Sequence, residues 1–360
     1  MSDARFVVNE TETELNLVVG DRYFPLSPIW LREFSSAPEY LDARTRQRLF
    51  STHTIDAGLE FTRIEPQAGQ VAVGFSDGYS QQFDVAELVE AIDPHTGCPQ
   101  KAVFREASIR KFDATAPSVE MFEFFLRYGF AVVENIGTEA DSMERYLAAQ
   151  QLEIRATNFG RFFEVKTQPE ANDLAYTSVA IGPHTDNPYR DPIPTIQCLH
   201  CLSNEADGGE STLMDSVQAI EIIQRERPEF VELLCTVPVR YWFIDRDTEL
   251  SEWRTIFERD HFGEIARINY SPRLDFSYPL PPAQYRSFHE ARSYLNDLLN
   301  SPQMELRFKL QAGEMMIFDN RRMLHGRTSF DPDSGARHLR GCYVDIDAVR
   351  SGYRIGRKQQ

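Results

Sequence analysis

Hydrophobic and polar positions keep two different rhythms along the chain. Over residues 1 to about 94 they alternate at the two-residue period of half-buried strands. RFVVNETETELNLVV predicts two strands around a polar turn, and QVAVGFSDGYSQQFDV a hairpin with Ser76-Asp77-Gly78 at its bend. The turn-rich run DPHTGCPQKA, 93–102, marks a boundary, and 95–116 is expected as a linker. From 117 the texture changes. SVEMFEFFLRYGFAVVEN predicts an amphipathic helix ending near Gly129 and running into a strand. DSMERYLAAQQLEIRA predicts a helix started by Asp141 or Ser142, with Glu144 nearby. After residue 174 the apolar runs are short and strand-like: LAYTSVAI, TIQCLHCL, STLMDS, VPVRYWFI, ARINYS, LRFKL, EMMIF, MLHGRTSF and RHLRGCYVD. Helical patterns interrupt them only at about 216–235 and 283–299.

Many short strands with few helices predict a mainly β chain with flanking helices. The expected architecture is a double-sheet jelly roll or barrel over 117–360, beside a small β-rich N-terminal domain over 1–94. An open parallel α/β sheet needs a helix between successive strands, and that alternation is missing. The length of 360 residues agrees with about two domains at roughly 150 residues each.

Charge narrows the partners. With 38 basic against 55 acidic residues the net charge is −17, and such a surface repels nucleic-acid phosphates and anionic lipid. MSDARFVV lacks the apolar run of a secretory signal, and no segment reaches the roughly 18 consecutive apolar residues of a membrane span. The five cysteines are odd in number and scattered, which suits a reducing cytoplasm rather than a disulfide framework. Cys198 and Cys201 form a C-x-x-C, but in a strand residues three apart point to opposite faces. They are expected as small buried hydrophobes.

The candidate chemistry begins at IGPHTDNPYRDP, 181–192, where His184 stands two residues before Asp186. On extended backbone both side chains project from one face, as two ligands of one ion require. Gly182-Pro183 ahead and Asn187-Pro188 behind stop regular pairing and leave that face open. EMMIFDNRRMLHGRTSF offers a third ligand: a strand ends at Phe318, Asp319-Asn320 turns, and His325 sits in the next strand. Two imidazoles and one carboxylate with open remaining positions form the facial triad of non-haem iron(II) oxygenases, although zinc or manganese takes the same ligands. Arg337, in RHLRGCYVD, shares a strand face with Leu339, Gly341 and Tyr343. A guanidinium pointing into a barrel suits bidentate binding of a carboxylate such as the far end of 2-oxoglutarate. A salt bridge at the rim is the alternative.

Taken together, HTDNP, NEADGGEST, EMMIFDNRRMLHGR and RHLRGCYVDID resemble the iron(II)- and 2-oxoglutarate-dependent oxygenases of the γ-butyrobetaine hydroxylase group. NFGRFFEV, LAYTS and the N-terminal IWLREF extend the resemblance over nearly the whole chain. It implies a double-stranded β-helix core, His184, Asp186 and His325 on iron(II), and Arg337 on 2-oxoglutarate. It also implies a hydroxyl from Ser211 or Thr212 on that carboxylate, oxygen as co-reactant, and a homodimer. The implied reaction couples oxidative decarboxylation of 2-oxoglutarate to hydroxylation of an unactivated C–H. Some members hold zinc on cysteines just after the WLR segment. Here the run is WLREFSSAPEYLD, so no structural zinc is expected.

The group's substrates carry a trimethylammonium head, which aromatic faces hold. The aromatics matching the family's cage are Phe159, Phe163, Tyr176 and Tyr343, with core packing the alternative for the two phenylalanines. Near the anionic end stand Asn187, Tyr189, Arg190 and Arg273. An arginine there suits a group more highly charged than a carboxylate, such as a phosphonate. The expected substrate is therefore 2-(trimethylammonio)ethylphosphonate, hydroxylated next to phosphorus, with γ-butyrobetaine hydroxylation to carnitine as the alternative. A jelly-roll metal- or ligand-binding protein without oxygenase activity is the alternative of another class, and it has no use for a buried arginine clamp.

Overall fold

The alternation read near the N-terminus is realised as two antiparallel three-stranded sheets. Ala4–Val8, Leu15–Val19 and Arg22–Leu26 form one, and Phe61–Gln67, Gln70–Phe75 and Ser80–Asp84 the other. Gly78, at φ +87°, supplies the left-handed residue of the 76–78 bend. Inward-facing Leu15, Leu17, Ile64, Val71, Val73 and Phe83 build this unit's core. In the WLR segment Arg32 is buried between Tyr40 and Tyr79, its guanidinium carbon 4.2 Å from each ring centroid, and it pairs with Asp77 at 2.8 Å.

This is one of two units, Met1–Gly97 and Cys98–Gln360, in a computed structural model that describes residues 4–10, 13–92, 97–106, 108–166 and 177–359. In the larger unit Ile196–Asn204 is the central strand of a seven-stranded sheet. It pairs with Met315–Asp319 on one side and Arg337–Val344 on the other. Phe163–Val165 and Ile154–Arg155 flank Arg337–Val344, while Phe130–Glu134 and then Lys111–Asp113 extend the opposite side. A second, four-stranded sheet runs in the order Ile181–His184, Met323–Arg327, Ser211–Asp215, Leu306–Phe308. Together the two sheets form the expected double-stranded β-helix, a jelly roll.

Packing explains the reading of the central strand. Residues 196–201 are buried on both faces, which is why TIQCLHCL is a continuous apolar run rather than an alternating one. Cys198 faces Cys342 across the ladder while Cys201 lies against the Leu310 carbonyl, so the C-x-x-C pair does diverge; all the cysteines are free. Ser118–Tyr128 ends at Gly129, φ +81°, and turns directly into Phe130–Glu134.

Two expectations are refined. The stretch 95–116 contains Lys111–Asp113, which pairs in parallel with Phe130–Glu134, and Lys111 forms an ion pair with Glu314. The 216–235 pattern is two helices, Ser216–Glu226 and Pro228–Thr236: Pro228 has no N–H to continue the first, and suits the first turn of the second. These helices, with Pro282–Leu299 and the strands Val239–Asp245, Thr248–Arg254 and Asp275–Ser277, enclose a further core around Tyr241, Phe288 and Leu295. The LAYTSVAI run is described only from residue 177. No helix among the described residues is long and apolar enough to cross a membrane.

Candidate active site

Strand register brings the distant motifs together. Ile181–His184 pairs with Met323–Arg327 so that His184 stands opposite His325, their ring centroids 4.2 Å apart. Asp186 follows the strand end, its Oδ1 3.4 Å from His184 Nε2 and 3.8 Å from His325 Nε2. One ligand atom from each of the three lies within 4.8 Å of the others, and no other such group occurs among the described residues. His184 Nδ1 donates to the Gly182 carbonyl at 3.0 Å, which turns the Nε2 lone pair toward the other two side chains.

The protonation states suit a cation. Burial alone would raise the Asp186 pKa. The imidazoles of His325 and His184 and the Tyr343 hydroxyl outweigh it, holding the carboxyl well below the usual range. Burial first, and His184 second, hold the His325 pKa down to about 3. A neutral imidazole and an ionised carboxylate are the forms that bind a divalent metal. Tyr343 Oη donates to Asp186 Oδ2 at 2.7 Å, and burial raises the phenol's pKa, keeping it a donor.

A cavity lies over these residues, and Arg337 reaches it from the Arg337–Val344 strand. Its Nε donates to the Gly209 carbonyl at 3.2 Å, while Nη1 is buried with no hydrogen-bond partner. Gly209, at φ +67°, lets the arginine pass: a Cβ there would lie 2.7 Å from Arg337 Nε. Burial, then the Arg327 guanidinium, lower the Arg337 pKa to about 10, so the group is charged near neutrality. A buried guanidinium with an unsatisfied N–H calls for an anion, and a carboxylate of 2-oxoglutarate fits it. Ser211 lines the cavity. Thr212, one residue on, points to the other face of the strand and is not among the lining residues, so of the two hydroxyls it is Ser211 that the strand brings to the cavity.

Most of the expected substrate residues gather in the same cavity. Phe159, Phe163, Asn187, Tyr189, Arg273 and Tyr343 all line it. Arg190 is not among the lining residues, and its Nη2 donates to Asn158 Oδ1. Tyr176 lies outside the described residues. Asn187 accepts the Tyr189 hydroxyl at 2.7 Å, and its Nδ2 is buried without a partner. Arg273 is exposed at the cavity and, among the described residues, pairs with no carboxylate.

Phe243, Gln197 and Arg327 are among the lining residues that escaped the sequence reading. Phe243 stacks on Tyr189 at 4.9 Å and meets Phe159 edge-on at 5.8 Å. Gln197 faces Tyr343 across the ladder, with Oε1 buried and unpartnered. Arg327 donates to the carbonyls of Thr177 and Val179 at 2.8 and 2.6 Å. Only Arg327 had a local signal, since it lies two residues beyond His325 and so on the same strand face.

The jelly roll, the His-Asp-His group and the buried arginine define an iron(II)- and 2-oxoglutarate-dependent dioxygenase. Residues 91–343 match the taurine catabolism dioxygenase TauD, TfdA family, and the chain belongs to it. It is 28% identical over 350 residues to the γ-butyrobetaine dioxygenase of Pseudomonas sp. (strain AK-1), covering 92% of this chain and 90% of that one. It is 30% identical over 352 residues to the trimethyllysine dioxygenase of Meyerozyma guilliermondii, covering 89% and 87%. The crystal structure of the PvcB protein from Pseudomonas aeruginosa shares the fold, with a TM-score of 0.51 and 21% identity over 69% of this chain and 91% of that one.

Proposed function

We propose that the enzyme hydroxylates an unactivated C–H in a small trimethylammonium zwitterion, with 2-(trimethylammonio)ethylphosphonate, oxidised next to phosphorus, as the favoured substrate. His184, Asp186 and His325 hold iron(II), and Arg337 with Ser211 holds the far carboxylate of 2-oxoglutarate. Iron(II), 2-oxoglutarate and oxygen supply the oxidising power when bound. The chain's own residues orient the substrate and exclude water.

The observation that carries this reading is the aromatic lining: Phe159, Phe163, Tyr189, Phe243 and Tyr343 share one cavity with the triad. A trimethylammonium group has no N–H to donate and is held by ring faces, each worth roughly 0.5–2 kcal/mol. The preference for phosphonate rests on Arg273, a cation at that cavity without a carboxylate partner among the described residues. A phosphonate offers it more charge and more acceptor oxygens than a carboxylate does.

γ-Butyrobetaine, hydroxylated to carnitine, is the second reading, favoured by the similarity to the Pseudomonas γ-butyrobetaine dioxygenase. In both compounds the oxidised carbon lies two bonds from nitrogen, so one fixed cage presents either carbon alike. Comparing kcat/KM for the phosphonate, γ-butyrobetaine and trimethyllysine decides between them. The phosphonate is expected to be used best. A higher value for γ-butyrobetaine would replace the first reading with the second.

A further inference from the structure

Asp186 lies where strand pairing has stopped. The strand ends at His184, and Asn187 at φ +57° with Pro188 takes the chain onward. The main-chain N–H and C=O of Asp186 therefore need partners that no neighbouring strand provides. Both come from one side chain. Asp186 N–H donates to Asn320 Oδ1 at 2.7 Å, and Asn320 Nδ2 donates to the Asp186 carbonyl at 2.9 Å. Asn320 Nδ2 also donates to the Pro194 carbonyl at 3.0 Å, so its donors are used and the residue is 1% exposed.

Asn320 stands in the turn between Met315–Asp319 and the strand that carries His325. That turn is itself anchored. Asn320 N–H donates to the Thr195 carbonyl at 2.9 Å. Arg322 pairs bidentately with buried Asp215 at 3.0 and 2.7 Å, and also donates to the carbonyls of Arg127 and Ala102 at 2.8 and 2.6 Å. A fixed point therefore exists from which Asn320 can hold a neighbouring segment.

We infer that Asn320 is a positioning residue for the iron site: it fastens the main chain of Asp186, one ligand, to the turn that launches His325, another. The inference rests on reading His184, Asp186 and His325 as iron ligands. A carboxamide suits the task because it accepts one hydrogen bond and donates two from a single short side chain. An aspartate keeps the acceptor and loses both donors, and an alanine loses all three. Without the clamp Asp186 can drift from the two imidazoles, whose spacing it must match for all three to share one ion.

The test compares Asn320→Ala and Asn320→Asp with the unaltered protein by anaerobic iron(II) titration and, without metal, by hydrogen exchange over residues 181–190. Asn320→Ala is expected to exchange faster there and to bind iron(II) roughly 10-fold or more weakly, with Asn320→Asp between it and wild type. Affinity within about twofold of wild type in the folded variants would overturn the inference, even with a lowered unfolding midpoint, since that pattern marks a merely structural residue. Should Asn320→Ala fail to fold, the same limit applies to Asn320→Asp alone. His325→Ala in the same titration separates the two readings. If wild type binds no more iron(II) than His325→Ala, the iron site itself fails; if wild type binds tightly and the Asn320 variants match it, only the role of Asn320 fails.

Discussion

Tyr343 donates its hydroxyl to Asp186 Oδ2 at 2.7 Å while Oδ1 faces both histidines, 3.4 Å from His184 Nε2 and 3.8 Å from His325 Nε2. The aspartate is thereby left with one oxygen for a metal. Tyr343→Phe keeps the ring and removes that hydrogen bond. Bonds to ionised groups contribute about 1.5–3 kcal/mol, so iron(II) affinity should fall roughly 10-fold or more. The KM for a trimethylammonium substrate should change little, because the aromatic face remains. Iron(II) titration with steady-state kinetics checks both, and unaltered metal affinity would contradict the role given to the hydroxyl.

Arg337 brings a buried charge to the cavity with one N–H unsatisfied by protein. Arg337→Ala should raise the KM for 2-oxoglutarate roughly 30-fold or more, the scale on which a buried charge pair loses a partner. Arg337→Lys should recover only part, since an ammonium lacks the planar fork. Succinate formation against 2-oxoglutarate concentration measures this. An unchanged KM would remove the arginine from the cosubstrate site.

The two ends of the substrate separate in two further variants. Phe243→Ala removes a ring stacked on Tyr189 at 4.9 Å, and should raise the KM of every trimethylammonium substrate by about 3- to 30-fold. Arg273→Ala should weaken use of the phosphonate more than use of γ-butyrobetaine, because its charge answers the anion. Ratios of kcat/KM across the two substrates read both effects. Equal losses on Arg273→Ala would remove the reason for preferring phosphonate.

Acid should destabilise the metal-free protein through the same residues. The His325 pKa is held down to about 3 from an ordinary 6.5. As pH falls below about 6.5 the unfolded chain takes up a proton that the folded chain refuses, so stability falls progressively toward pH 3. Asp186 acts in the same direction: its carboxyl is depressed in the fold, and its contribution is lost as pH falls below the ordinary 3.8. Unfolding midpoints measured with a chelator should decline over this range, and His325→Gln should flatten the decline. Parallel slopes in the two proteins would contradict the cause.

What could be read from sequence was whatever a two-residue period and a local turn determine. His184 and Asp186 share a face, His325 follows a turn, and Arg337 shares its strand face with Tyr343; the structure gathers all five around one cavity. The same periodicity separates Ser211 from Thr212, which the resemblance alone had left open. Phe243 stayed hidden because a cavity-facing aromatic in Val239–Asp245 has the same pattern as a core residue. Tyr189 lines the cavity while its neighbour Arg190 bonds to Asn158, a difference that adjacency in sequence does not carry. Asn320 read as an ordinary turn residue because its partners, Asp186 and Pro194, are remote in sequence.

The most direct test of the assigned chemistry is one incubation of the iron(II)-loaded enzyme with labelled 2-oxoglutarate, isotopically labelled oxygen and the trimethylammonium phosphonate. The predicted result is succinate formed in step with a product that carries a single oxygen atom from the labelled gas, both abolished in His325→Ala. No succinate above background with this or any other quaternary ammonium compound would contradict the central claim.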